Sequence, residues 1–162
     1  MRILGIDPGT AITGYGIIDK NFNSYSVIDY GSIQTEAHTP MEDRLCKIYE
    51  GMRWLINEYQ PDEIAIEELF FNRNVTTAIT VGQARGVIIL AAAQMGVKVN
   101  EYTPLQVKQA ITGYGNADKK QVQFMVKNIL GLVKVPSPDD VADALAIAIC
   151  HSNWLQSKNW QK

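Results

Sequence analysis

The chain has 162 residues, 46% hydrophobic and 20% charged, a size and balance that fit one globular domain and exclude extended disorder. Its longest apolar run, residues 87–93, is far short of a membrane helix, the N-terminus lacks a leader's pattern, and Cys46 and Cys150 are too few for a disulfide framework or zinc finger, so a soluble cytoplasmic protein is expected. A net charge of −2 by itself argues against a nucleic-acid partner.

Arg2–Asp7 is an apolar run of strand length, stopped by Pro8-Gly9, and residues 13–19 and 25–33 also read as strands joined through Asn21-Phe22-Asn23-Ser24. Thr39-Pro40-Met41-Glu42 predicts a helix start with a threonine cap, followed by an apolar face of Leu45, Ile48, Met52, Leu55 and Tyr59, and Pro61 closes the helix. Residues 63–68 are too few for a helix and read as a buried strand. Residues 75–95 predict a long helix with Ile79, Gly82, Gly86, Leu90 and Ala93 along one side, where the glycines would let something pack close, and with Gly96 as the stop. Residues 98–102 predict a strand, Thr103-Pro104-Leu105-Gln106 a second capped helix, and residues 119–130 a helix buried through Val122, Met125/Val126 and Ile129. Ser137-Pro138-Asp139-Asp140 opens a last helix with Leu145, Ala148 and Ile149 inward. A hairpin-connected start followed by βαβ crossovers predicts an α/β fold, a mixed five-stranded sheet with helices on both faces.

Four carboxylates stand where that topology can bring them together. Asp7 and Glu67 lie near strand ends, where open α/β sheets place ligands, and Asp140 and Asp143 share one face of the last helix. Capping alone can account for Asp139 and Asp140. Asp143, between Ala142 and Ala144 in an apolar helix, needs a cation or donor. Clustered carboxylates attract hard divalent cations such as Mg²⁺, and two such ions can activate water and stabilise a leaving oxygen in phosphodiester hydrolysis. The charge distribution supports a polyanion. Residues 1–68 hold 5 basic and 12 acidic side chains, whereas Arg73, Arg85, Lys98, Lys108, Lys119, Lys120, Lys127 and Lys134 face only Glu101 and Asp118 in residues 69–134. A solvated lysine face is the alternative. Asp7-Pro8-Gly9-Thr10 is similar to the phosphate loop of two-domain ATPases, but one domain cannot enclose ATP in that way. His38 and His151 lack a metal-binding spacing and read as surface or helix-end residues.

Ile3-Leu4-Gly5-Ile6-Asp7-Pro8-Gly9, Ile66-Glu67-Glu68-Leu69-Phe70, Gly82-Gln83-Ala84-Arg85-Gly86, Val107-Lys108-Gln109 and Asp140-Val141-Ala142-Asp143-Ala144-Leu145-Ala146 together resemble the RuvC family of bacterial Holliday junction resolvases. The resemblance covers residues 1–152 as one nuclease domain and leaves 153–162 as a tail expected to be disordered. It implies an RNase H-like fold and a homodimer that cuts two opposed strands of a four-way junction, leaving 5′-phosphate and 3′-hydroxyl ends. It further implies two Mg²⁺ per active site, with Mn²⁺ able to substitute, and work alongside the RuvA–RuvB branch-migration complex. Asp7, Glu67, Asp140 and Asp143 match the acidic metal ligands, with position 140 the most replaceable because some members carry His there. Phe70 matches an aromatic residue placed against junction bases, Lys108 and Lys119 match basic residues near the scissile DNA, and Arg73 follows Phe70 in a more variable loop. Glu68 neighbours Glu67, but strand alternation sends the two side chains to opposite faces. A general RNase H-like nuclease, a non-catalytic junction-binding module and an ATP-binding module are the other readings.

Overall fold

The structure, a computed structural model, describes residues 1–22, 24–68 and 75–159. The elements follow in the expected order: β1 (Arg2–Asp7), β2 (Ile12–Asn21), β3 (Ser24–Gln34), α1 (Met41–Tyr59), β4 (Glu63–Glu67), α2 (Val75–Gln94), β5 (Lys98–Tyr102), α3 (Pro104–Thr112), α4 (Lys119–Ile129) and α5 (Asp139–Asn159). They form a five-stranded sheet in the order β3-β2-β1-β4-β5. The short connections among β1, β2 and β3 make antiparallel pairs, while the helical crossovers make β1–β4 and β4–β5 parallel. This is the mixed sheet of an RNase H-like fold.

The alternation of side chains divides the core in two. Leu4, Ile6, Ile17, Ile64 and Ile66 point toward α1 and α2. Ile3, Ile18 and Ala65 point toward α3, α4 and α5. Central strands covered on both faces read as nearly continuous apolar runs, which is why β1 and β4 lack polar alternation. The edge strand β3 shows that alternation instead.

Local chemistry sets the helix ends. Thr103 caps α3 and Gln106 reaches back to it, the expected capping box; Asp118 and Gln121 form a second one at α4 that the sequence reading did not single out. The expected Thr39 cap at α1 is not formed. Pro40 takes the cap position with no side-chain bond, and Glu42 and Asp43 lie near the positive helix end instead. Helix α2 turns Ala78, Ala84, Ile88, Ala91 and Ala92 to the core, while Ile79 and Leu90, from the side singled out in the sequence, are exposed. The segment set apart as a tail continues α5 as far as Asn159, supported by the Tyr25–Asn153 hydrogen bond and the donation from Gln156 to the Phe22 carbonyl.

Helix α5 lies directly on β1 and β2. Gly5 pairs with Gly16, and Asp7 with Gly14, in the β1–β2 register. A Cβ at Gly5 would collide with the Ala144 carbonyl, and one at Gly14 with the Asp140 carbonyl. The strands lack side chains where the helix descends, so its backbone reaches theirs. Gly5→Ala should therefore cost about 1–3 kcal/mol through overpacking. In a domain of this size that lowers the melting temperature by roughly 2–4 °C per kcal/mol. A thermal melt identical to wild type would show that α5 can move away freely.

Candidate active site

Two parallel strands and one helix assemble the acidic residues. Asp7 closes β1 and Glu67 closes β4, and the register Ile6↔Ile66 sets these two ends beside each other at the carboxyl edge of the sheet. Gly14, opposite Asp7, touches the main chain of Asp140, so the first turns of α5 descend onto the same edge. The helical spacing then turns Asp143 to the side on which Asp140 lies.

Helices α3 and α4 bring basic residues to the cleft. The Asp118–Gln121 box sets Lys119 at the first position of α4, and its Nζ lies 3.0 Å from Asp143 Oδ2 and 3.3 Å from Asp139 Oδ2. Lys108 approaches from α3. Glu67, Lys108, Lys119 and Asp143 line a cleft of about 210 Å³, with Val122 and Ile147 among its apolar walls. This gives Asp143 the cation that its apolar neighbours require, as the sequence indicates.

The carboxylates disturb one another strongly. Burial pushes Asp7 up to about 8, with Glu67, Asp143 and Asp140 adding to the rise. Burial and then Asp143 push Glu67 up to about 6, against the pull of Lys119 and Lys108. Asp143 is raised by burial, and its bond to Lys119 offsets part of that rise. For Lys119, burial lowers the pKa, but the bonds to Asp143 and Asp139 outweigh it and hold the ammonium above its ordinary range. Crowded anions in a partly dry site lack positive charge.

The remaining sequence candidates lie elsewhere. Glu68 is exposed and contributes its amide to the Tyr102 carbonyl. Phe70 and Arg73 lie outside the described residues. Lys98 pairs with Glu63, at the opposite strand end, and Arg85 pairs with Glu101 while its Nε donates to the Glu67 carbonyl. Of the basic stretch, Lys108 and Lys119 line the cleft. His38 is exposed as expected, whereas His151 is fully buried and corrects the surface reading. Its Nδ1 lies 2.6 Å from the Tyr102 hydroxyl and its Nε2 3.1 Å from Glu63 Oε2, and burial holds its pKa below the ordinary value. The role of Arg85 was missed, although a charged residue among the small residues of Gly82-Gln83-Ala84-Arg85-Gly86 signals a specific partner.

The site's acidic donors are all oxygen, as hard divalent cations prefer. Among the described residues no three His, Cys, Asp or Glu side chains close around a single point.

Residues 3–151 match the family model described as crossover junction endodeoxyribonuclease RuvC. A relative from Desulfitobacterium hafniense with that name is 63% identical over 159 residues, spanning 98% of this chain and 96% of the relative. The solved structure of Thermus thermophilus RuvC matches with a TM-score of 0.89 and 36% identity, covering 98% of this chain and 97% of the other. Its complex with a Holliday junction substrate matches with a TM-score of 0.92 and 36% identity, covering 98% and 96%. The chain belongs to the RuvC family of crossover junction endodeoxyribonucleases.

Proposed function

We propose that this cleft resolves Holliday junctions by hydrolysing phosphodiester bonds with Mg²⁺, two ions per site, leaving 5′-phosphate and 3′-hydroxyl ends. The observation that carries this reading is the geometry: Lys119 pairs with Asp143 at 3.0 Å in a cleft that Glu67 and Lys108 also line, and Asp7 ends the strand that runs beside the one Glu67 closes. Such a site is destabilised by its own charge and favours divalent cations and the polyanion they bind. When bound, Mg²⁺, or Mn²⁺ in its place, supplies an activated water and neutralises charge on the leaving oxygen. Asp7 and Glu67 hold cations at the sheet edge, and Asp140 and Asp143 complete the set from α5. Lys119 orients Asp143 and offsets part of the burial that opposes its charge, and Lys108 meets a backbone phosphate. Phe70 and Arg73 are assigned to junction contacts on the family resemblance alone.

Symmetric cutting of opposed strands calls for two clefts, and α2 supplies a surface for pairing two copies. Val75, Ile79 and Leu90 are more than half exposed on it, and Gly86 leaves open space beside them. A groove between α1 and α2, lined by Leu45, Tyr49, Val87 and Leu90, continues that surface. α2 has the length and mean hydropathy of a membrane span, but Ala84, Ile88 and Ala91 bind it to the sheet and Arg85 interrupts it. A protein partner fits it better than lipid. The enzyme works in the cytoplasm, where a bacterial chromosome lies, alongside RuvA and RuvB.

Wild-type protein should cut a synthetic four-way junction in Mg²⁺ and spare linear duplex and RNA–DNA hybrid. Asp7→Asn should abolish cutting while sparing junction affinity, because most affinity comes from phosphate contacts. Loss of both by a folded variant would make Asp7 structural.

The same substitution carries a stability signature. A carboxyl whose pKa is higher folded than unfolded stabilises the fold as pH falls and weakens it once ionised. Asp7, ordinarily at 3.8 and here at about 8, should weaken the metal-free protein progressively between those values. In chelator, Asp7→Asn should melt several degrees above wild type at alkaline pH, the gap shrinking as the pH approaches 4. Equal melts across the range would remove the charge-crowding account.

Lys108→Ala and Lys119→Ala should each lower the slope of log affinity against log salt by about 0.9 if each meets one duplex phosphate. Unchanged slopes would return both lysines to the solvated reading. Leu90→Glu should convert a dimer into a monomer in sedimentation with little change in fold stability, because Leu90 is half exposed on the single chain; a dimer that survives would place the interface elsewhere.

A further inference from the structure

Arg85 has only 16% of its side chain exposed, on a helix that otherwise packs alanines and Ile88 into the core. A guanidinium stays charged and presents five donors, so burial of this kind demands specific acceptors. It has two. Nε donates to the main-chain carbonyl of Glu67 at 3.2 Å, and Nη2 lies 2.5 Å from Glu101 Oε2. The second is a charge contact rather than an aligned hydrogen bond, since Nη2 meets no acceptor in good geometry among the described residues.

The position of that carbonyl gives the contact its meaning. Glu67 is the last residue of β4, paired with Tyr102 of β5, and the next amide, that of Glu68, donates to the Tyr102 carbonyl. That bond holds the N–H side of the Glu67–Glu68 peptide; the β1–β4 register ends at Ile66, so the carbonyl of the same peptide takes its donor from outside the ladder. Arg85 takes the Glu67 carbonyl from the α2 side while Glu101, one residue before Tyr102, anchors the guanidinium. The direction of the peptide sets the direction of the side chain attached to it. We propose that Arg85 is a positioning residue that fixes the Glu67 peptide, and thereby aims the Glu67 carboxylate into the cleft beside Asp143.

This inference rests on Glu67 as a metal-holding carboxylate, so the experiment includes E67Q. Lysine keeps the charge of Arg85 but not the planar group that donates to the carbonyl through Nε while its other end faces the Glu101 carboxylate, which makes R85K the informative variant. Methionine, R85M, fills the space without charge. Mn²⁺ binding is read by electron paramagnetic resonance of the free ion, alongside the Mg²⁺ dependence of junction cutting, metal-free junction affinity, sedimentation and thermal melting.

R85K should remain folded and dimeric and should bind the junction as wild type does. It should need about tenfold more Mn²⁺ for half-saturation, the scale of metal-affinity loss when an outer residue no longer orients a ligand. Half-maximal cutting should shift to higher Mg²⁺ by a similar factor, with the rate recovering at saturation. E101Q should move both in the same direction by less. Wild-type Mn²⁺ affinity in both R85K and R85M, with E67Q defective, would overturn the positioning role and leave Glu67 as a ligand. Proportionate loss of stability, junction affinity and metal binding in R85K would also overturn it, in favour of a structural role. Wild-type Mn²⁺ affinity in E67Q would overturn the reading of Glu67 itself.

Discussion

Helix α5 rests on β1 and β2 backbone against backbone, and the active-site geometry follows from that contact. A side chain at Gly5 or Gly14 would collide with the main chain of the helix, and one at Gly16 with Leu145. Because these residues lack one, the helix axis sits lower over the sheet than ordinary packing allows. Its N-terminal carboxylates thus reach the level at which β1 ends. The lowered helix also buries Asp7, raising the cost of its charge. Close packing and electrostatic strain have a single origin here.

That strain is selective. In a site of like charges, each carboxylate settles according to its solvent access and its nearest cation. Asp7, the most enclosed and crowded by three other carboxylates against which Lys119 pulls least, is raised furthest. Glu67 is raised less because Lys119 and Lys108 both act on it. Asp143 is held by a direct bond to Lys119. Lys119 divides its charge between Asp143 and Asp139, so a phosphate or cation entering the cleft competes for an ion pair already formed. Preorganisation of this kind is obtained at the expense of fold stability, an ordinary feature of functional sites.

The sequence conveyed the elements well, because apolar runs bounded by Pro, Gly and capping residues are local signals. Thr103 and Gln106 announced α3 correctly. The same logic at Thr39 misplaced a cap by one residue, since Pro40 already provides the extended entry to α1. On α2 the spacing picked out the side of Ile79, Gly82, Gly86, Leu90 and Ala93, but apolar residues lie on the other side too, so spacing alone did not say which of the two meets the sheet. His151 was misread for another reason. Its partner Tyr102 lies 49 residues away in the chain, and helix-end position says nothing about a neighbour brought in by tertiary packing. The four carboxylates were readable as candidates from strand ends and helix spacing. Their convergence needed the Gly14–Asp140 contact, which exists only once the β1–β2 register is known.

Register also explains why the two faces of the sheet cannot act independently. Along β4, Ile64 and Ile66 face α1 and α2 while Ala65 faces the layer that contains α5. Glu67 continues that second set, toward Asp143. Its carbonyl accepts from Arg85 of α2. A single residue thus connects a helix on one face to a carboxylate site on the other. A shift of α2 along its axis would pull on the Glu67 peptide through Arg85 before it disturbed any cleft side chain directly. The outer side of α2, proposed above as the surface for a second copy, and Arg85, proposed to aim Glu67, belong to the same helix, which gives association there a physical route to metal affinity.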